Sequence, residues 1–153
     1  MHESAVLLDF HSDKVHVELQ LPIDRLSISF GKTVDEDHFV AEKSELQQYV
    51  LAHVHPVTFA GAIMPVTFAS MKLEMVEGAP YVVARLTFTA PGPASLDRFT
   101  LNYDVISHQI VTHTVLVSIR SDSKAKISLK EPLLIGIIRG NRKQVVVDRM
   151  RLL

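Results

Sequence analysis

What most restricts this chain is a side-chain alternation of period two that returns in segment after segment. Between Lys14 and Leu21, Val15, Val17, Leu19 and Leu21 interleave with Lys14, His16, Glu18 and Gln20. Successive side chains of an extended strand point to opposite faces, so such a stretch buries one face and wets the other. A helix would scatter the same residues around its circumference. Ala5–Phe10 reads as the preceding strand, joined through the turn cluster His11-Ser12-Asp13. Pro22 ends the pair by withdrawing a ladder donor.

The pattern recurs downstream. Val66–Val76 alternates Thr67, Ala69, Met71, Leu73 and Met75 against Phe68, Ser70, Lys72 and Glu74. After the turn Glu77-Gly78-Ala79-Pro80, Tyr81–Ala90 returns with Val82, Ala84, Leu86 and Phe88 on one face, and Pro91-Gly92-Pro93 breaks the chain. Arg98–Arg120 reads as two strands joined by a short loop. Phe99, Leu101, Tyr103 and Val105 line the first, and Val111, His113, Val115, Val117 and Ile119 the second. That tandem is the predicted centre of a sheet, with His113 interrupting its apolar face. Leu133–Ile138 and Gln144–Met150 read as a last hairpin around Gly140-Asn141.

Two segments depart from the pattern. Ser44–Val54 has Leu46, Tyr49, Val50, His53 and Val54 at helical spacing, with Ser44 and Gln47 placed as a capping box and Pro56 as the stop. Ile23–Phe30 fits either a short helix, begun at Asp24 and stopped at Gly31, or a strand that uses Ile28 and Phe30. The expected fold is therefore mainly β: an antiparallel β-sandwich, Ig-like or a partly open barrel, of seven to nine strands with one helix near residues 44–54. Alternating faces argue against a parallel βαβ sheet, whose strands would be apolar throughout.

With 153 residues the whole chain, 1–153, is expected to form a single domain, and 47% hydrophobic residues suffice for a core. A net charge of -1 gives no electrostatic case for nucleic acid or an anionic membrane surface. The absence of cysteine removes disulfides, thiolate metal sites and thiol catalysis. No phosphate-cradling glycine loop, Gly-x-Ser-x-Gly elbow or His-Glu-x-x-His helix occurs, so no enzyme is expected.

Metal chemistry rests on the eight histidines. His113 on its predicted strand face, with His108 and Asp104 nearby, offers three nitrogen and oxygen donors, or else a structural hydrogen-bonded network. His53 and His55 would point one way on a strand but diverge where His53 ends a helix. Asp35 and Asp37 suit an exposed loop better than a calcium site, for want of a glycine-containing loop around them. His2 would chelate copper or nickel through its α-amine and imidazole if Met1 stands in for a removed export signal. A copper enzyme built on that terminus is the weakest of the readings.

Several pieces together resemble the N-terminal extracytoplasmic domain of bacterial membrane proteins of the HupE/UreJ-like family. They are His2-Glu3-Ser4, the strand Leu7–Phe10, the stretches Val17–Gly31 and Leu46–Val54, and Leu101–Ile119, within which Tyr103-Asp104 and His113 match recurring features. The resemblance implies a periplasmic or cell-surface location, and a mature start at His2. It also implies that 1–153 is a soluble portion excised from a larger protein whose membrane domain follows. Hydrogenase and urease accessory proteins associated with nickel uptake give that family its name.

Two expectations follow. One is a non-enzymatic extracytoplasmic domain that binds or delivers nickel or copper for a transporter, with His113, His108, Asp104 and His2 as candidate ligands. The other is an interaction module that docks on its own C-terminal membrane domain or another membrane protein, without a metal. The direction of His113, into a solvent-reachable cleft or into a dry core, separates them.

Overall fold

The computed structural model describes residues 2–92 and 96–152. Met1, and Pro93 of the Pro91-Gly92-Pro93 break, lie outside the described residues. The fold is mainly β, with nine strands in two sheets and two helices among those residues. The strands are β1 (Ser4–Phe10), β2 (Lys14–Pro22), β3 (Val54–Thr58), β4 (Val66–Val76), β5 (Ala79–Thr89), β6 (Arg98–Tyr103), β7 (Val115–Asp122), β8 (Ile127–Ile138) and β9 (Gln144–Asp148). The helices are α1 (Ile23–Phe30) and α2 (Phe39–Leu51), and a 3-10 turn spans Arg149–Leu152.

The large sheet runs β4-β5-β2-β1-β7-β8 and the small one β3-β6-β9. Neighbours are antiparallel except β1 and β7, which run parallel from Ser4↔Val115 onward, so the large sheet is mixed. Neither sheet closes into a barrel. The alternation does what period two demands. Val6, Leu8 and Phe10 of β1 and Val15, Val17, Leu19 and Leu21 of β2 all face the core. The small sheet answers with Phe99, Leu101 and Tyr103 of β6 and Val145 and Val147 of β9. Phe99 joins the layers, its ring 6.5 Å from Phe10 and 6.2 Å from Phe88. Each such side chain contributes about 1.5–3 kcal/mol relative to exposure.

Helix α1 settles the ambiguous segment. Gly31 takes the left-handed conformation (φ 84°) and returns its N–H to Ser27 O at 3.0 Å, a glycine stop. Leu26 is buried and Ile28 faces solvent, so the strand alternative, which needed Ile28 inside, is set aside. The cap position belongs to Pro22, not Asp24, which lies inside the first turn. Helix α2 begins at Phe39 rather than Ser44. Asp35 Oδ1 accepts the His38 N–H at 2.9 Å just before the helix, and Ser44 is an interior residue, so no capping box forms there. The helix also ends before His53, which occupies the turn into β3.

The largest correction concerns Arg98–Arg120. Its two strands are not a hairpin: β6 belongs to the small sheet and β7 to the large one, and residues 104–114 cross between them. Val111 and His113 precede β7 and lie in that crossing. Likewise β8 pairs with β7 and β9 with β6, so the predicted last hairpin passes from one sheet to the other with a single bridge, Arg139↔Arg142. Alternation marks which face is wet. It carries no information about which strand lies alongside.

Candidate functional site

The crossing between the sheets gathers polar side chains against the end of α2. The Asp104 carboxylate accepts a hydrogen bond from His53 Nδ1 at 2.7 Å. His53 in turn stacks on His108, ring centroids 4.0 Å apart and planes 8° from parallel. His108 Nε2 lies 2.8 Å from the Tyr49 hydroxyl, which also sits 2.8 Å from Ser29 Oγ and accepts the Ile106 N–H at 3.0 Å. Four segments thus meet: α1 through Ser29, α2 through Tyr49, the turn after it through His53, and the crossing through Asp104, Ile106 and His108.

The backbone is strained where the cluster closes. Ile106 is fully buried at φ 67°, a conformation a β-branched residue rarely accepts, at a cost of about 1–3 kcal/mol. Tyr49 holds it there. Two hydroxyls in or beside the crossing, Tyr103 Oη and Ser107 Oγ, are buried without a partner among the described residues. Burial raises the affinity of the Tyr49 and Tyr103 hydroxyls for their protons. Burial chiefly, then the neighbouring His53, lowers that of His108; Lys143 acts in the same direction and Asp104 opposes it.

Because Nδ1 keeps its proton and donates it to the Asp104 carboxylate as a hydrogen bond, a neutral His53 presents a lone pair at Nε2. That arrangement is found where a carboxylate orients a ligating or proton-accepting imidazole. Beside Asp104 opens a cavity of about 610 Å3 lined by His55, Asn102, Tyr103, Arg142 and Lys143 among others. No hydroxyl or thiol is hydrogen-bonded to His53 among the described residues, so no nucleophile–base pair is formed there.

The structure brings Asp104 and His108 of the sequence candidates together, around His53. His113 sits apart: it is 1% exposed, its Nε2 lies 2.7 Å from Ser4 Oγ, and burial, followed by Arg25, pushes its pKa down to about 4. It is buried against Ser4 rather than lining a solvent-reachable cleft. His2 packs its ring edge-on to Tyr81, centroids 6.1 Å apart. His55 is exposed on β3 and bonds to Ala52 O at 2.8 Å, diverging from His53. Asp35 engages His38 Nδ1 at 2.6 Å in an exposed loop. Among the described residues no three His, Asp or Glu side chains are grouped to hold a metal ion. Tyr49, Ser29 and Ile106 escaped the sequence reading. Tyr49 has the spacing of a core residue, and nothing local marks its hydroxyl as a hub.

A second feature is the outer face of the small sheet. Register aligns His55, Asn102 and Gln144 in one row and Val57, Thr100 and Val146 in the next. Val146 is 47% exposed, and Phe59 and Ile63, just beyond β3, are 56% and 76% exposed. Among the described residues no helix or strand covers this face.

No protein-family model matches the chain, and no curated protein matches it.

Proposed function

We propose that the chain is a non-enzymatic extracytoplasmic domain of a membrane protein and that it works as an interaction module, docking on the membrane-embedded part of its own protein. The observation that carries the docking is the uncovered small sheet, whose Val57–Thr100–Val146 row, with Phe59 and Ile63, leaves apolar surface in water. Exposed apolar surface rimmed by polar residues is the usual mark of a protein contact. The resemblance of the sequence supplies the setting, and the burial of His113 favours this reading over metal handling at that residue. A photo-cross-linking residue at Val57 or Thr100 in the full membrane-attached protein is expected to capture the membrane part. Adducts no more frequent there than at Lys72, on the large sheet, would dispose of the docking.

A second reading keeps the transition metal. Asp104 orients His53 with His108 beside it, so nickel or copper would be held by His53 and a reoriented His108 rather than by His113. Calorimetric titration of the domain with either ion is the test. Absence of heat together with unmoved His53 and His108 resonances removes it.

A further inference from the structure

The net charge of -1 conceals a segregation of charge. Residues 139–151 carry Arg139, Arg142, Lys143, Arg149 and Arg151 against Asp148 alone. The fold turns Arg149 inward onto Asp122, at 2.6 and 2.7 Å, and leaves the other four cations at the surface. Arg98 of β6 joins them, since Arg98, Arg142 and Arg151 line one groove of about 410 Å3 between β8 and β9. Arg139 is tied to the same corner by its bridge to Arg142, and Lys143 follows in the chain. Among the described residues no carboxylate lies within ion-pairing distance of Arg139, Arg142, Lys143 or Arg151, and Arg98 has only Asp148 at 4.0 Å.

Apolar side chains stand between these cations. Ile137 and Val146, 40% and 47% exposed, line the groove with the three arginines. Phe59 lies under Arg98, whose guanidinium carbon is 4.6 Å from the ring centroid.

We propose that this corner, Arg98, Arg139, Arg142, Lys143 and Arg151 with Phe59, Ile137 and Val146 between them, rests on an anionic phospholipid surface. The inference builds on the docking reading in using the margin of the same face. It names what that margin touches beside the protein contact.

Four of the five cations are arginine, whose planar fork pairs bidentately with phosphate and which is less strongly hydrated than an ammonium. Charge complementarity favours headgroups because five cations face a single carboxylate, Asp148, at this corner, within a chain whose net charge is only -1. Apolar tips among guanidinium groups suit the boundary between headgroups and acyl chains, where basic side chains meet phosphate and apolar ones bury area below it.

Sedimentation of the purified domain with vesicles tests this directly. Vesicles of phosphatidylcholine with about one-third phosphatidylglycerol should carry the domain down, and vesicles of phosphatidylcholine alone should not. Rising salt should release it. Each cation near such a surface contributes on the order of a five-fold gain in partition, so R142E/K143E should lose well over ten-fold. K14E/K72E makes the same charge change on the large sheet and should lose far less. All four side chains are exposed or partly so, and circular dichroism confirms that each variant is folded. Failure to bind the anionic vesicles at low salt, or equal losses in the two double variants, overturns the proposal. Because vesicles contain no protein, that failure leaves the cross-linking result standing, and a failed cross-link leaves lipid binding standing.

Discussion

His53 and His108 stack face to face at 4.0 Å, and each imidazole is held from the side by a different partner, Asp104 for one and Tyr49 for the other. The stack locks the turn after α2 to the crossing between the two sheets. It therefore ties the helical layer to the segment that carries the chain from β6 in the small sheet to β7 in the large one.

Tyr49 is the side chain on which that junction hangs. Removing its hydroxyl leaves the buried Ile106 N–H without an acceptor while Ile106 stays in its strained conformation. Y49F should lose about 1–3 kcal/mol in urea unfolding. Amide exchange at residues 104–108 should accelerate more than in β1 or β2. Unchanged exchange there would show that the hydroxyl does not restrain the crossing.

His113 makes stability depend on pH. Its folded pKa of about 4 lies below the ordinary imidazole value of 6.5, chiefly because burial disfavours the charged ring. Between those values the unfolded chain binds the extra proton, so stability is complete above pH 6.5 and falls as the pH drops toward 4. Integrated over the window the loss is on the order of 3 kcal/mol. H113Q, which retains a hydrogen-bonding side chain opposite Ser4, should flatten this part of the profile. Urea midpoints measured across the window decide it, and parallel profiles for the two proteins would reject the assignment.

Gly136 is demanded by its neighbour. A Cβ at this position would lie 2.7 Å and 2.8 Å from the two methyl groups of Val145, where β8 and β9 approach across the open seam between the sheets. G136A should cost about 1–3 kcal/mol through overpacking. In a V145A background, which removes both methyls, the same substitution should cost much less. Additive losses in the double-mutant cycle would mean the contact is absent.

Asp122 and Arg149 form a nearly buried pair, with side chains 5% and 7% exposed and the guanidinium also 5.1 Å from the Phe10 ring centroid. D122A leaves a buried cation unpaired and should cost about 3–5 kcal/mol, whereas D122A/R149M should recover much of it. The Arg149 hydrogen bond holds the Asp122 carboxyl below its ordinary value, so this stabilisation is present above the unfolded pKa and fades as the pH falls through the folded one. Chemical denaturation of both variants near neutral pH and in acid tests the pair. No gain in the double variant would place the loss elsewhere.

The pairing of greasy and polar residues along β2 and β5 was enough to specify strands, their inward faces and a β fold of packed sheets, because burial acts on each stretch through its own periodicity. In β4 the reading of faces failed: a register shift between Phe68 and Ser70 packs Val66 and Phe68 on the core beside Met71 and Leu73, and leaves Thr67, Ala69 and Met75 exposed. The Gly31 stop of α1 was legible for a similarly local reason. Which strands became neighbours was not. The parallel contact of β1 with β7, and the departure of β6 and β9 into the second sheet, are governed by interactions between segments far apart in the chain. The site followed that division. Asp104 and His108 stood out as chemically able side chains, but only tertiary packing set His53 between them and made Tyr49 the acceptor for a strained backbone. Folding likewise turned Arg149 inward and left the other C-terminal cations outside, a choice that no count of charges along the chain contains.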